Sequence, residues 1–249
     1  RRERSDRSMN TIAARLTALT SRIRTAAAAA GRSAGEIQLV AASKTFPPPA
    51  IREAVAAGVS DIGENYIQEA RDKYAALQGT PVRWHFIGHL QTNKAKYAVR
   101  MFDLIHTVDS YRLAFELDRC AQKINKVQSV LIQVNLAGEA SKSGVAPEEA
   151  LPLIRRVAAL EHVAVKGLMT LPPYFNAPEK VRPFFAALRQ LRDRIEAEKQ
   201  GILDRIAAER LETTGLQELS MGMTGDFEAA VAEGATLVRI GTAIFGERP

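Results

Sequence analysis

The chain has 249 residues, 46% hydrophobic and 25% charged, with a formal net charge of +6. That length suits one large domain or two small ones, and single α/β barrels commonly have it. Of the +6, +2 belongs to a tail, Arg1 to Ser8, in which four Arg meet two acids. The other basic residues are interspersed with acids along helical patterns and form no stripe interleaved with aromatics, which argues against nucleic-acid binding. The tail precedes Met9 and reads as an upstream extension or a non-native remnant, leaving 9–249 as a single domain. Cys120 is the sole cysteine, which excludes an intramolecular disulfide and a cysteine metal cluster and suits a reducing cytoplasm. It shares a helical stripe with Leu113, Leu117 and Ile124, so a packed, inert thiol is expected. No apolar run reaches the roughly 20 residues that cross a bilayer, and no secretory signal is evident.

Met9 to Ala30 is alanine-rich, with Ile12, Leu16, Leu19 and Ile23 at helical spacing, and predicts a leading helix ending near Gly31. Strands and helices then alternate. The pattern predicts strands at Ile37–Ser43, Val59–Gly63, Val82–Ile87, Leu104–Val108, Ser129–Val134, Val163–Leu168, Gln217–Met221 and Thr236–Ile240. Between them it predicts helices at about Pro49–Ala57, Tyr66–Leu77, Lys94–Val99, Tyr111–Lys123, Pro147–Leu160, Pro178–Gln200 and Asp226–Ala232. A further helix over Ile202–Arg210, or an extension of the one before it, leads into the seventh strand.

Eight strands alternating with helices predict a parallel sheet closed into a (β/α)₈ TIM barrel with one extra N-terminal helix. An open doubly wound sheet is the alternative, but it would carry a Gly-rich phosphate loop after an early strand, and none is present. The segments around Gly58 and Gly234 echo each other: a helix end, a Gly, a short strand and a closing Gly.

Active sites of such barrels lie at the C-terminal strand ends. The first strand ends in Lys44, just before Pro47-Pro48-Pro49. A lysine there can be desolvated, its amine freed for attack on carbonyls, or it can snorkel with its head in water. Both readings stay open on this segment alone. The last two strand ends offer the hydroxyls of Ser220, Thr224 and Thr242. Gly222, Gly225 and Gly241 admit close backbone approach, and Asp226 stands at a helix start as a candidate cap. That is the habitual phosphate seat of the fold.

Period-two spacing puts Val40, Ala42 and Lys44 on one face, and Leu237, Arg239 and Gly241 on another. Two cations flanking small residues would suit a planar, electron-rich ligand. A buried pairing of Arg239 with a strand-end acid such as Glu64 is the alternative. His85 and His89 would lie about 13 Å apart in an extended chain, with no third ligand motif, so a metal is not expected. His85 is read as a packed or ligand-contacting ring, and Trp84 as core.

Six segments taken together resemble the YggS/PROSC family of pyridoxal 5′-phosphate (PLP) homeostasis proteins. They are Leu39–Thr45, Gly63–Tyr66, Trp84–Lys94, Gly167–Met169, Leu219–Phe227 and Val238–Gly246, and they span the domain in order. Thr224 stands where the family usually has Ser, which keeps the hydroxyl; position 89 varies in the family. The resemblance implies a fold-type III, alanine-racemase-like barrel in which Lys44 carries PLP as an internal aldimine. It further implies that Ser220, Gly241 and Thr242 hold the phosphate with Thr224 nearby, that Arg239 faces the pyridine nitrogen, and that Asn65 and His85 line the ring site. Because Arg only donates, the nitrogen must accept, and an unprotonated pyridine is a weaker electron sink.

Racemases and decarboxylases of this fold type carry a C-terminal β-domain that delivers a second catalytic residue. The chain stops at Pro249, seven residues after Thr242, without room for it. The expectation is therefore a PLP-binding regulator or carrier that buffers or delivers PLP without robust catalysis. Apo PLP-dependent enzymes would be the recipients, and the family tendency is toward monomers. The alternatives are a minimal PLP-dependent amino-acid racemase or lyase using Lys44 as sole base, and a cofactor-free Schiff-base aldolase. A second PLP-binding lysine, such as Lys94 or Lys142, stays open.

Overall fold

The computed structural model describes residues 11–139, 142–173, 175, 177–203 and 215–247, without the side chains of 199–203. Eight parallel strands close into a barrel in chain order, β8 returning to β1. They are β1 Gln38–Ala42, β2 Asp61–Glu64, β3 Arg83–Phe86, β4 Leu104–Val108, β5 Gln128–Val134, β6 Val163–Thr170, β7 Glu218–Ser220 and β8 Leu237–Ile240. The long helices are α1 Ile12–Ala29, α2 Pro48–Ala56, α3 Ile67–Ala76, α4 Ala95–Met101, α5 Tyr111–Gln122, α6 Pro147–Ala158 and α7 Pro178–Leu203. Two short ones, α8 Phe227–Ala232 and α9 Thr242–Phe245, follow β7 and β8.

The strands are buried on both faces because each face is covered. The outer residues, such as Ala41, Ile62, Ile105 and Val238, join the layer between sheet and helices. Val40, Leu131, Met169 and Leu237 meet inside the barrel as a separate cluster. The registers extend that inward face around the ring, since Val40 is level with both Asp61 and Arg239, and Gly63 with His85. The face expected for Val40 and Leu237 is thus the interior one. The leading helix α1 is capped by the Thr11 side chain, which accepts from the Ala14 amide, and lies against α2, α8 and α9.

Several boundaries move for local reasons. The second strand starts at Asp61, not Val59, because the Val59 amide donates back to Ala54 O and Gly58 takes φ +105. Val59 therefore closes the end of α2 in a Schellman-like turn rather than opening a strand. The seventh strand is shorter than Gln217–Met221. Helix α9, a single turn after Gly241, is an addition to the elements that the sequence pattern predicts. The further helix expected over Ile202–Arg210 falls outside the described residues beyond Leu203, where α7 is described to end.

Candidate functional site

Lys44 follows β1 and is half-buried. The next residue, Thr45, has φ 69, a left-handed conformation that is costly for a β-branched side chain. The backbone on both sides of Lys44 is clamped from beneath. Lys73 of α3, itself buried, donates from Nζ to Ser43 O (2.7 Å), Glu64 Oε1 (2.8 Å) and Glu69 Oε1 (2.6 Å). Ser43 Oγ also donates to Glu64, and the Thr45 amide donates to Glu69. Burial pushes the Glu64 carboxyl up, against the pull of Lys73. The clamp holds the carbonyl before Lys44 and the amide after it, which fixes where the lysine leaves the barrel rim.

Glu64 is thereby committed to Lys73 and Ser43, not to Arg239. The guanidinium of Arg239 points into the barrel. Its Nη1 donates to Ser220 Oγ (2.5 Å) and its Nη2 to Thr170 O (2.9 Å). Arg239 is buried, and burial lowers its pKa to about 10, with the charge of Asp226 opposing that fall. It is still a cation at neutral pH.

A line of interior polar groups continues from Ser220. His106 Nδ1 lies 2.8 Å from Ser220 Oγ, His85 Nδ1 lies 2.9 Å from His106 Nε2, and His85 Nε2 lies 2.9 Å from Asp61 Oδ1. Gln38, Ser60 and Arg83 also bond the Asp61 carboxylate. Burial opposes its charge, but His85, Ser60 and Arg83 outweigh burial and hold its pKa at about 2. Burial, with His85 and Arg239, lowers His106 well below the usual histidine range.

The loops after β7 and β8 form the rim. Gly222 has φ +92, and a Cβ there would sit 2.6 Å from the Ala230 Cβ, so only glycine fits. A Cβ on Gly241 would stand 3.1 Å from Ala42 O, which brings the β8 loop against the end of β1. In α9 intrahelical bonding starts at the Ile244 amide, on Gly241 O, so the Thr242 and Ala243 amides precede it. Thr224 is half-buried and Thr242 exposed. Asp226 does not cap α8; its carboxylate accepts from the Met223 amide and braces the loop instead. Ser220 faces the barrel interior, and its hydroxyl sits between Arg239 and His106 rather than open to the rim.

Asn65 is half-buried at the end of β2, and its Oδ1 is buried with no hydrogen-bond partner among the described residues. Next to it, Gly88 is required: a Cβ there would lie 2.1 Å from Asn65 O. A cavity of about 220 Å³ opens beside them, lined by Asn65, His89, Thr107, Gln133 and Lys142 among others. His89 bonds Ser143 Oγ at 3.0 Å, so His85 and His89 serve different partners. Among the described residues no group of three His, Cys, Asp or Glu is placed to hold a metal ion. A larger groove of about 550 Å³ lies between α1 and the opposite, N-terminal ends of β1 and β2, away from these groups.

The structure thus gathers Lys44, Asn65, Arg239, Gly241 and Thr242 at strand ends or on the interior face, and sets His85 and Ser220 deeper. Sequence reasoning missed Asp61, Lys73, Glu69 and the inward role of His106. A usable signal existed for Asp61, since an acid within a short buried strand demands partners.

The alanine racemase N-terminal domain family model matches residues 14–249. The pyridoxal phosphate homeostasis protein of Aquifex aeolicus is 47% identical over 234 residues, covering 94% of this chain and 97% of that protein. The structure of PipY from Synechococcus elongatus with PLP bound is 36% identical, with a TM-score of 0.80 over 95% of this chain and all of that one. An alanine racemase of Clostridium difficile is 14% identical with a TM-score of 0.63 over 86% of this chain and 56% of that chain, a likeness of fold alone. With the closed barrel and these matches together, the chain belongs to the pyridoxal phosphate homeostasis protein family, built on the alanine racemase N-terminal domain fold.

Proposed function

We propose that this chain binds PLP at the C-terminal end of the barrel, tethers it at Lys44, and buffers or delivers it, with no sustained catalysis of its own. The observation that carries the reading is Arg239: a buried cation aimed into the barrel that hydrogen-bonds a hydroxyl and a carbonyl and, among the described residues, no carboxylate. Burying such a charge is costly unless a partner completes it. The other groups fit the cofactor as well. Asn65 brings an unpartnered buried oxygen, and the Gly241–Thr242 turn brings early helix amides suited to an anion.

When bound, PLP supplies an aldehyde that condenses reversibly with a primary amine and a ring that withdraws electrons. Lys44 offers the amine, and the clamp below it sets the direction of approach. Arg239 donates and cannot accept, so it holds the ring nitrogen as an acceptor. Gly241, Thr242 and Thr224 seat the phosphate. The Ser220 hydroxyl accepts from Arg239, lies against His106 and supports the seat from inside, while His85 acts only through His106, Ser220 and Arg239. A carrier role agrees with the homeostasis name of relatives matched over almost their whole length.

The test is borohydride trapping of the PLP-loaded chain followed by peptide mapping. The label should fall on Lys44 and vanish in Lys44→Ala, and the loaded chain should pass PLP to an apo-enzyme. A label on Lys94 or Lys142 alone would overturn the Lys44 assignment. Exchange of amino-acid Cα hydrogens in deuterated water at enzyme-like rates would sink the carrier reading in favour of a racemase or lyase.

A further inference from the structure

The interior line from Arg239 to Asp61 has ends of fixed polarity. Arginine can only donate, and a carboxylate can only accept. Arg239 Nη1 donates to Ser220 Oγ, so the Ser220 proton is free to point at His106 Nδ1. If it does, a neutral imidazole accepting at Nδ1 carries its proton on Nε2, and His106 Nε2 then donates to His85 Nδ1. His85 in turn carries its proton on Nε2 and donates to Asp61 Oδ1. The two fixed ends are matched by an arrangement in which every link runs the same way, Arg239 to Ser220 to His106 to His85 to Asp61. In that arrangement each ring carries its proton on Nε2. Burial of His106 favours its neutral form.

The far end of the line is well anchored. Gln38 from β1, Ser60 before β2 and Arg83 from β3 all donate to Asp61. His85 and Arg83 also line a cavity of about 230 Å³ at the N-terminal mouth, with Gln38, Lys166, Asp103 and Glu218. At the near end, Asp226 is the acidic group whose charge acts on Arg239. Nothing in the barrel's packing requires five polar residues from β2, β3, β4, β7 and β8 to align inside it. An apolar interior would be the cheaper solution.

We propose that Asp61, His85 and His106 are positioning residues for the ring end of the cofactor: they fix the Ser220 proton, and through Ser220 they hold the Arg239 guanidinium that faces the ring nitrogen. This inference rests on the PLP-binding reading above. The three residues act through Ser220 and Arg239.

The test uses the full chain labelled with ¹⁵N, which holds four histidines. Long-range proton–nitrogen spectra report each ring's tautomer, with and without PLP. In the wild-type chain His85 and His106 should both be Nε2–H before PLP is added. Ser220→Ala cuts the line at Arg239 but leaves Asp61 to polarise it, so both tautomers should persist while PLP is lost about tenfold faster. Asp61→Asn removes the acceptor-only end, so the tautomers should mix and PLP should again be lost about tenfold faster. Far-UV circular dichroism verifies that each variant is folded. Because the two residues act through one line, the double variant should lose PLP no more than a few-fold faster than either single variant. Fully additive effects would overturn the proposal. So would an Nδ1–H tautomer at either ring in the wild-type chain, or mixed tautomers in Asp61→Asn with unchanged PLP loss. If the wild-type chain binds no PLP, the PLP reading falls and this one with it, while the tautomers still report whether the polarised line exists.

Discussion

Lys73→Met tests whether the clamp beneath Lys44 is as important as its geometry implies. The substitution keeps most of the side-chain volume, so it opens little cavity. It removes three contacts of 2.6 to 2.8 Å and strands Glu64, which is fully buried and has a second oxygen with no partner among the described residues. Breaking a buried pair by removing one member costs about 3–5 kcal/mol. The loss should therefore lower the urea midpoint of the apo-chain by about 1 M or more. Adding Glu64→Gln should restore a substantial part, because the stranded charge goes with it. The pH dependence has a definite sign. Burial already pushes the Glu64 carboxyl up, and loss of Lys73 pushes it further, so the penalty applies in full while Glu64 is ionised. The stability gap to the wild-type chain should narrow as pH falls and Glu64 is protonated in the fold. A loss below about 1 kcal/mol, or a double variant as unstable as Lys73→Met alone, would refute the reasoning.

Thr45→Gly relieves the left-handed backbone at φ 69 and should raise stability by about 1 kcal/mol net of the added chain entropy; an unchanged urea midpoint would show that the conformation carries no strain. Gly88→Ala would force a Cβ to within 2.1 Å of Asn65 O, so the loop must move. Thermal unfolding should register a loss of about 1–3 kcal/mol, and equilibrium dialysis a weaker grip on PLP as Asn65 shifts. Asp61→Asn should cost about 2 kcal/mol at about pH 6, from a carboxyl held at about 2 against its ordinary 3.8. That stability is present above about pH 4 and lost as pH falls toward 2, so urea titrations of the two chains should converge over that window.

The barrel was legible because each strand is covered on both faces and each helix on one. Runs such as Ile37–Ser43 and Ser129–Val134 therefore differ in period from the amphipathic stretches between them. Boundaries were less legible where side chains or backbone turns compete locally, as at Val59, which closes α2. Lys44, Asn65, Arg239 and Gly241 could be named because each sits at a strand end or on an inward face that period-two spacing marks out. Asp226 was misjudged as a helix cap because its competing acceptor role, toward Met223, depends on the loop's path.

By itself the sequence determined the order of elements, the rim that bears the polar residues, and the placing of Lys44 at the end of β1. Only the tertiary structure decided which of those polar groups meet. Glu64 and Ser43 turn away from the barrel to Lys73, while Ser220, His106, His85 and Asp61 turn inward and join end to end. These partners lie as far as 114 residues apart in the chain. Their contact exists only because eight strands close into a ring and the register aligns one face of each.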